Sequence, residues 1–258
     1  MPPTTRKPRG RWIRKIAGAL LILATQAAGG SESNGGNGSR PPRDPGFADE
    51  REDMVERQLE SRGIRDQKVL DAMRKVPRHR FAPDLDPTRA YQDRPHPIGD
   101  GQTISQPYIV ALMSELAKLE PPCKVLEVGT GSGYQAAVLA EMGCDVYSIE
   151  IIESLANRAL EILKAEGYDD RVHSRFGDGY RGWPSQAPFD AVIVTAAAPR
   201  IPQPLLDQLR VGGRLVIPVG DHWQVLEVHR RTKEGFERER VSDVRFVPMT
   251  GEVRSEPR

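Results

Sequence analysis

The stretch Val125-Leu126-Glu127-Val128-Gly129-Thr130-Gly131-Ser132-Gly133-Tyr134 decides how this chain folds. Residues 125–128 are apolar except at Glu127, the composition of a short buried strand. The alternate glycines that follow let the backbone turn and let a ligand approach it closely. Beyond them Ala136, Ala137, Leu139 and Ala140 recur at helical spacing as far as Met142, and Gly143 is the stop. Strand, glycine turn and helix make the nucleotide-binding corner of an open α/β sheet, with the ligand beyond the strand's carboxyl end.

The spacing narrows the ligand. A dinucleotide fingerprint, G-x-G-x-x-G, sets a pyrophosphate on the helix N-terminus. Here the pattern is E-x-G-x-G-x-G, and Tyr134 stands where that fingerprint has its third glycine. An acid just before the glycines suits a cationic ligand without pyrophosphate, and S-adenosylmethionine, with its ammonium and sulfonium, fits. The next strand, residues 145–150, ends in Glu150, placed for ribose hydroxyls. Asp178, in Gly177-Asp178-Gly179, follows a strand at 172–176. Acids at successive strand ends are expected to serve the cofactor; the plain alternative is a generic α/β turn with a capping acid.

At 258 residues and a net charge of +1, the chain can hold one domain of about 200 residues plus tails. No basic surplus advertises nucleic acid or an anionic membrane. Cys123 and Cys144 are too few for a disulfide scaffold or a zinc cluster. Each sits just before a predicted strand, and those strands are expected to be neighbours; buried, inert thiols are the expectation, close approach the alternative. His79 and His96 have no partner at ligand spacing, read as surface or loop histidines, and give no reason to expect a metal.

Residues 1–45 read as lying outside the fold. Arg6, Lys7, Arg9, Arg11, Arg14 and Lys15 precede the apolar residues 16–24, and small residues follow at 25–28. That is the layout of a secretory signal, too short to span a membrane comfortably. Residues 29–45, rich in Gly, Ser, Asn and Pro, read as a disordered linker. The leader-like segment points to export or tethering, while a cofactor made from ATP inside the cell points to the cytoplasm; the cytoplasm is the expectation, export the alternative. The folded domain is expected over 46–251, with a disordered tail at 252–258.

Phe47, Met54, Val55 and Leu59 mark an amphipathic helix that stops at Gly63, and Asp66 caps a second that stops at Pro77. Residues 78–97 form a long irregular stretch, of the kind that is functional inside a compact domain. Tyr108, Leu112, Met113, Leu116 and Leu119 make a helical stripe with Pro107 in its first turn, so Ser105 or Gln106 is its N-cap. Residues 152–165 read as a helix, 189–195 as a central strand, 204–209 as a short helix and 214–219 as a strand. Alternation at 225–229 and 244–247, joined through Lys233-Glu234-Gly235, suggests an antiparallel pair at the sheet's end.

Gly101-Gln102-Thr103-Ile104-Ser105-Gln106-Pro107, residues 125–134, Gly177-Asp178-Gly179, residues 189–195 and Arg245-Phe246-Val247-Pro248 together resemble the protein-L-isoaspartate O-methyltransferase family, its bacterial branch most. The resemblance runs from about Glu50 to Gly251, and residues 103–107 are its most specific element. It implies an α/β fold, the Rossmann-like class I S-adenosylmethionine-dependent methyltransferase, with a seven-stranded, mostly parallel sheet and helices on both faces. It also implies methyl transfer from S-adenosyl-L-methionine to the free carboxylate of L-isoaspartyl residues in age-damaged proteins, the ester then collapsing to a succinimide. No nucleic acid or metal takes part, and the chain is expected to be a monomer. The family's active-site serine falls on Ser105, with Thr103 and Gln106 lining the same pocket. Glu127, Gly129, Gly131, Gly133, Glu150 and Asp178 are expected to hold the cofactor.

Such chemistry asks little of the chain. A carboxylate has a pKa of about 4, so it is already the nucleophile at neutral pH and needs no general base. What remains is alignment and removal of water. Ser105 is expected to orient the substrate carboxylate at a helix N-terminus, where N–H groups favour an anion; its plain alternative is an N-cap. Rival chemistries leave other marks. Amine methylation uses N/D-P-P-Y/F after the fourth strand, where this chain has Thr195-Ala196-Ala197-Ala198-Pro199. Cytosine C5 methylation needs a thiolate at a strand's carboxyl end, where neither cysteine lies, and Tyr134 disfavours a nicotinamide dehydrogenase. A small-molecule methyltransferase and a non-catalytic cofactor sensor stay open on the glycine corner alone.

Overall fold

The computed structural model describes residues 46–255, so the expectations for 1–45 and for 256–258 lie outside the described residues. Two helices come first, Ala48–Met54 (α1) and Gln67–Lys75 (α2). The first runs on through a wide turn at Val55–Leu59 and a tight one at Glu60–Arg62 to Gly63. Asp66 caps α2 as expected, its carboxylate accepting from the Lys68 N–H at 3.0 Å. Tight turns at Arg78–Phe81 and Pro87–Tyr91 lead to a small antiparallel hairpin, His96–Gly99 (β1) and Gln102–Ile104 (β2), too short to announce itself by alternation. Pro107–Leu116 (α3) follows at once.

The sheet is then laid down by Cys123–Val128 (β3), Cys144–Glu150 (β4), Val172–Phe176 (β5), Phe189–Val194 (β6), Leu209–Val219 (β7), Gln224–Arg231 (β8) and Phe236–Val244 (β9). Helices Tyr134–Glu141 (α4), Glu153–Ala165 (α5) and Gln203–Asp207 (α6) fall between them. The spatial order is β5-β4-β3-β6-β7-β8-β9. Pairs are parallel as far as β7, and β8 runs against both its neighbours, which gives the expected seven-stranded, mostly parallel α/β sheet. The chain builds β4 and β5 on one side of β3 and then crosses to the other for β6, so a crevice opens at the carboxyl end of β3.

Alternate residues of the central strands feed two cores. Val125, Val146, Ala191, Ile193 and Val216 face a cluster shared with Met73, Val110, Met113, Leu139 and Leu163 from α2 to α5. Leu126, Val128, Ile149, Val192, Leu215 and Ile217 face Leu205 and Leu206 of α6, with Met249 and Val253. Burial on both faces is why residues 191–194 of β6 read as an unbroken apolar run.

The last strand departs from expectation: it is Phe236–Val244, directly after the turn, and not 244–247. Its side chains are nearly all exposed, so no buried face imposes alternation, and its charges suit a sheet edge. Cys123 and Cys144 are not free thiols. They form a disulfide with a Cα–Cα separation of 4.4 Å, because the parallel register of β3 and β4 sets them directly opposite each other. His79 and His96 are buried, at 8% and 2% exposure, instead of lying on the surface. His79 Nδ1 lies 2.7 Å from the Tyr91 hydroxyl, and burial, aided by the Arg78 charge, pulls the His96 pKa down. The ordered chain also runs past 251: Glu252–Arg254 makes a tight turn whose Val253 is wholly buried, so residues 252–254 are part of the fold and not a tail. Among the described residues, no helix is long and apolar enough to cross a membrane and no His/Cys/Asp/Glu cluster could hold a metal.

Candidate active site

The glycines at the end of β3 do different work. Gly129 has φ 97°, and a Cβ there would run into Thr195 Oγ1. That hydroxyl donates to the Gly129 carbonyl at 2.5 Å and the Val128 carbonyl at 3.1 Å, pinning the corner to the end of β6. Gly131 presents its N–H to Glu150 Oε2 at 2.8 Å. Gly133, at φ 85°, lets α5 come close: a Cβ would sit 3.2 Å from Leu163 Cγ and 3.5 Å from Ala159 Cβ. Two N–H groups at the start of α4 are already taken, Gly133 by the Thr130 carbonyl at 2.8 Å and Tyr134 by Ser132 Oγ at 3.2 Å. A pyrophosphate cradle is therefore not what this turn offers.

Two acids stand behind and beside it. Glu150, at 5% exposure, lines the cleft and also accepts the Ile152 N–H at 2.9 Å. Each of its oxygens keeps a lone pair for a hydroxyl. Glu127 is wholly buried under the corner. Ser148 Oγ donates to its Oε2 and lies 2.5 Å from Thr130 Oγ1, while Oε1 is buried without a partner. Burial pushes the Glu127 carboxyl up to about 8, the Ser148 hydrogen bond opposing and the Glu150 charge adding to the rise. A glycine backbone open to close approach, an acid at the end of β4, apolar Ile149, Ile151 and Met249, and no phosphate cradle fit S-adenosylmethionine better than a dinucleotide.

Thr103, at the middle of β2, and Ser105, just after it, form the opposite wall. The N-cap of α3 is Gln106, so Ser105 is not spent on capping, and its hydroxyl has no hydrogen-bond partner among the described residues. A larger cavity of about 950 Å³ opens on the outer side, lined by Arg62, Gln106, Tyr108 and residues 241–247. Thr103, Ser105, Thr195 and Val247 belong to both cavities, so the inner cleft and the outer groove meet along a wall that includes Ser105.

Thr103, Ser105, Gly129, Gly131 and Glu150 thus share the cleft, and Gln106 lines the outer groove. Glu127, Gly133 and Asp178 are not in the cleft wall. Asp178 accepts from the Tyr180 N–H at 2.9 Å and the Glu252 N–H at 2.7 Å, holding the C-terminal segment in place. Thr195 and the segment 247–250 line the cleft without having been singled out for it. Thr195 carried only the signal of ending a strand, and 247–250 lie far away in sequence.

A family model for Protein-L-isoaspartate(D-aspartate) O-methyltransferase (PCMT) matches residues 49–254. The chain belongs to that family. A protein-L-isoaspartate O-methyltransferase of Gloeobacter violaceus is 58% identical over 201 residues, covering 77% of this chain and 98% of that one. Protein-L-isoaspartate O-methyltransferase 2 of Syntrophobacter fumaroxidans is 50% identical over 253 residues, covering 92% and 98%, so that match extends into the residues before 46. Among solved structures, a protein-L-isoaspartate O-methyltransferase of Plasmodium falciparum in complex with S-adenosyl-L-homocysteine is 30% identical with a TM-score of 0.69, covering 78% of this chain and 98% of that one.

Proposed function

We infer that this chain methylates the free carboxylate of L-isoaspartyl residues in age-damaged proteins, using S-adenosyl-L-methionine, and so initiates their repair through a succinimide. The observation that carries the reading is the meeting of an inner cofactor cleft and an outer groove along a wall that holds Thr103 and Ser105. Bound S-adenosyl-L-methionine supplies the methyl group. Gly129 and Gly131 give it backbone to lie against, and Glu150 takes the ribose hydroxyls. Glu127, Gly133 and Asp178 act from behind, fixing the corner and the C-terminal segment. Ser105 and Thr103 orient the substrate carboxylate, which is ionised at neutral pH and needs no base. Gln106 and Tyr108 face the flanking peptide in the groove.

Location divides the observations. The cofactor argues for the cytoplasm, whereas a Cys123–Cys144 disulfide is at home in an oxidising compartment. Counting free thiols in protein alkylated at the moment of cell lysis separates the two.

The function is tested by transfer of labelled methyl to two peptides, one with L-isoaspartate and one with normal aspartate. Label on the isoaspartyl peptide alone, released at mildly alkaline pH, is the expected result. Label on both peptides refutes the specificity. Label on neither, with S-adenosylhomocysteine still bound, moves the substrate to a small molecule.

A further inference from the structure

Arg78 is buried to 0% exposure behind the cleft. Its Nε donates to the Ala90 carbonyl at 2.6 Å and its Nη2 to the Ser105 carbonyl at 2.6 Å. The guanidinium carbon lies 4.8 Å from the centroid of the Tyr134 ring, and Tyr134 is the first residue of α4, next to the glycine corner. One side chain therefore touches both the segment that carries Ser105 and the helix that follows the cofactor turn.

This arrangement is costly. No carboxylate forms a direct ion pair with Arg78 among the described residues, the Asp93 charge favouring the cation only from a distance, and Nη1 is buried without a hydrogen-bond partner. Burial pulls its pKa down to about 10, so the cation persists at neutral pH. A buried charge without a contacting counter-ion is among the more expensive things a fold can hold. Packing alone does not explain it. Phe81, in the same turn, already meets the Tyr134 ring edge-on at 5.7 Å and holds the turn against α4. What the guanidinium adds is the tie to Ser105, made by a rigid fork that spans two carbonyls at once.

We propose that Arg78 is a positioning residue for methyl transfer, fixing the backbone of Ser105 against the glycine corner and thereby the line of approach of the substrate carboxylate. The role rests on the function inferred above. A misplacement of about 1 Å of an aligning group costs on the order of a hundredfold in rate. Because Arg78 itself lines neither cavity and acts through Ser105, its loss acts on kcat and leaves binding largely alone.

The test uses the full chain with Arg78→Met and Arg78→Lys. It measures kcat and KM for an isoaspartyl peptide, the Kd for S-adenosylhomocysteine, and the melting temperature. Arg78→Met is expected to lower kcat about a hundredfold, with KM and Kd within about threefold of the parent. Arg78→Lys, which keeps the charge and can still reach one carbonyl, recovers about tenfold of that loss. If the methionine variant does not fold, the lysine variant carries the test, with kcat about tenfold down at unchanged Kd. A lower melting temperature with kcat intact in both variants overturns the proposal in favour of a purely structural arginine. A Kd that rises in step with the fall in kcat overturns it in favour of a role at the cofactor corner. Wild-type protein that binds S-adenosylhomocysteine but leaves the peptide unlabelled refutes the inferred function, and this role with it.

Discussion

Replacing Glu127 by glutamine should make the protein's stability less sensitive to pH, and the size of the effect follows from burial. The side chain is wholly buried, its Oε1 has no partner, and its pKa rises from 4.5 to about 8. An acid whose pKa is raised on folding stabilises the fold fully below its unfolded pKa, and that contribution is lost as pH rises through the folded value. Between 4.5 and about 8, folding therefore holds a proton that the unfolded chain gives up. At about 1.4 kcal/mol per pKa unit, the full swing is roughly 5 kcal/mol. Glutamine keeps the shape and can accept the Ser148 hydroxyl, but does not titrate. The stability of Glu127→Gln relative to the parent should thus climb by about 1.4 kcal/mol per pH unit, close to 3 kcal/mol between pH 5.5 and 7.5. Urea unfolding of both proteins at several pH values, without cofactor, measures the difference directly. A difference that stays flat to within about 0.5 kcal/mol would mean that Glu127 is ionised in the fold, and the account of a neutral acid beneath the glycine corner would fail.

Four further variants probe other parts of the argument. Ser105→Ala should lower kcat about tenfold or more while leaving the Kd for S-adenosylhomocysteine nearly unchanged; full activity would remove Ser105 from substrate alignment. Gly129→Ala should cost about 1–3 kcal/mol in urea unfolding and weaken S-adenosylhomocysteine binding, since φ is 97° and the added Cβ overlaps Thr195 Oγ1. Gly131→Ala should cost less, because its Cβ would meet only Ile98 Cδ1 at 3.7 Å; equal losses would show that strain, not the Thr195 contact, dominates. Replacing both cysteines by alanine opens a loop with a sequence separation of 21 residues and should cost about 3 kcal/mol. No change would show that the bond is not formed in solution.

Much of the fold was legible because its strands are buried on both faces. Residues 125–128 and 189–194 carry apolar runs that only a covered sheet explains, and Gly63, Gly143 and Gly167 mark helix ends where positive φ is required. Legibility failed where burial stops imposing a pattern. The edge strand Phe236–Val244 has solvent on nearly all sides, so its sequence follows solubility and negative pairing requirements, not alternation. The disulfide was a matter of register: neighbouring strands could be foreseen, but a one-residue slip would have separated the two sulfurs, and only the pairing Cys123↔Cys144 brings them together.

In the site, the same distinction separates residues that touch a ligand from residues that place them. Gly131, Glu150, Thr103 and Ser105 sit in short motifs whose chemistry can be read locally, and all of them line the cleft. Glu127 and Asp178 have the right chemistry at the right strand ends, yet Glu127 is buried beneath the corner with one oxygen on Ser148, and the Asp178 oxygens accept from the N–H groups of Tyr180 and Glu252. A carboxylate at a strand end can serve a ligand or the backbone, and residue type alone does not choose between them. Arg78 lies further out of reach, in an irregular stretch with partners 12 and 27 residues away. Nothing in its neighbourhood of sequence distinguishes it from Arg80, which is exposed. What distinguishes it is a cost: a buried cation with no carboxylate in direct contact, bonded to the carbonyl of Ser105, one of the residues shared by the two cavities.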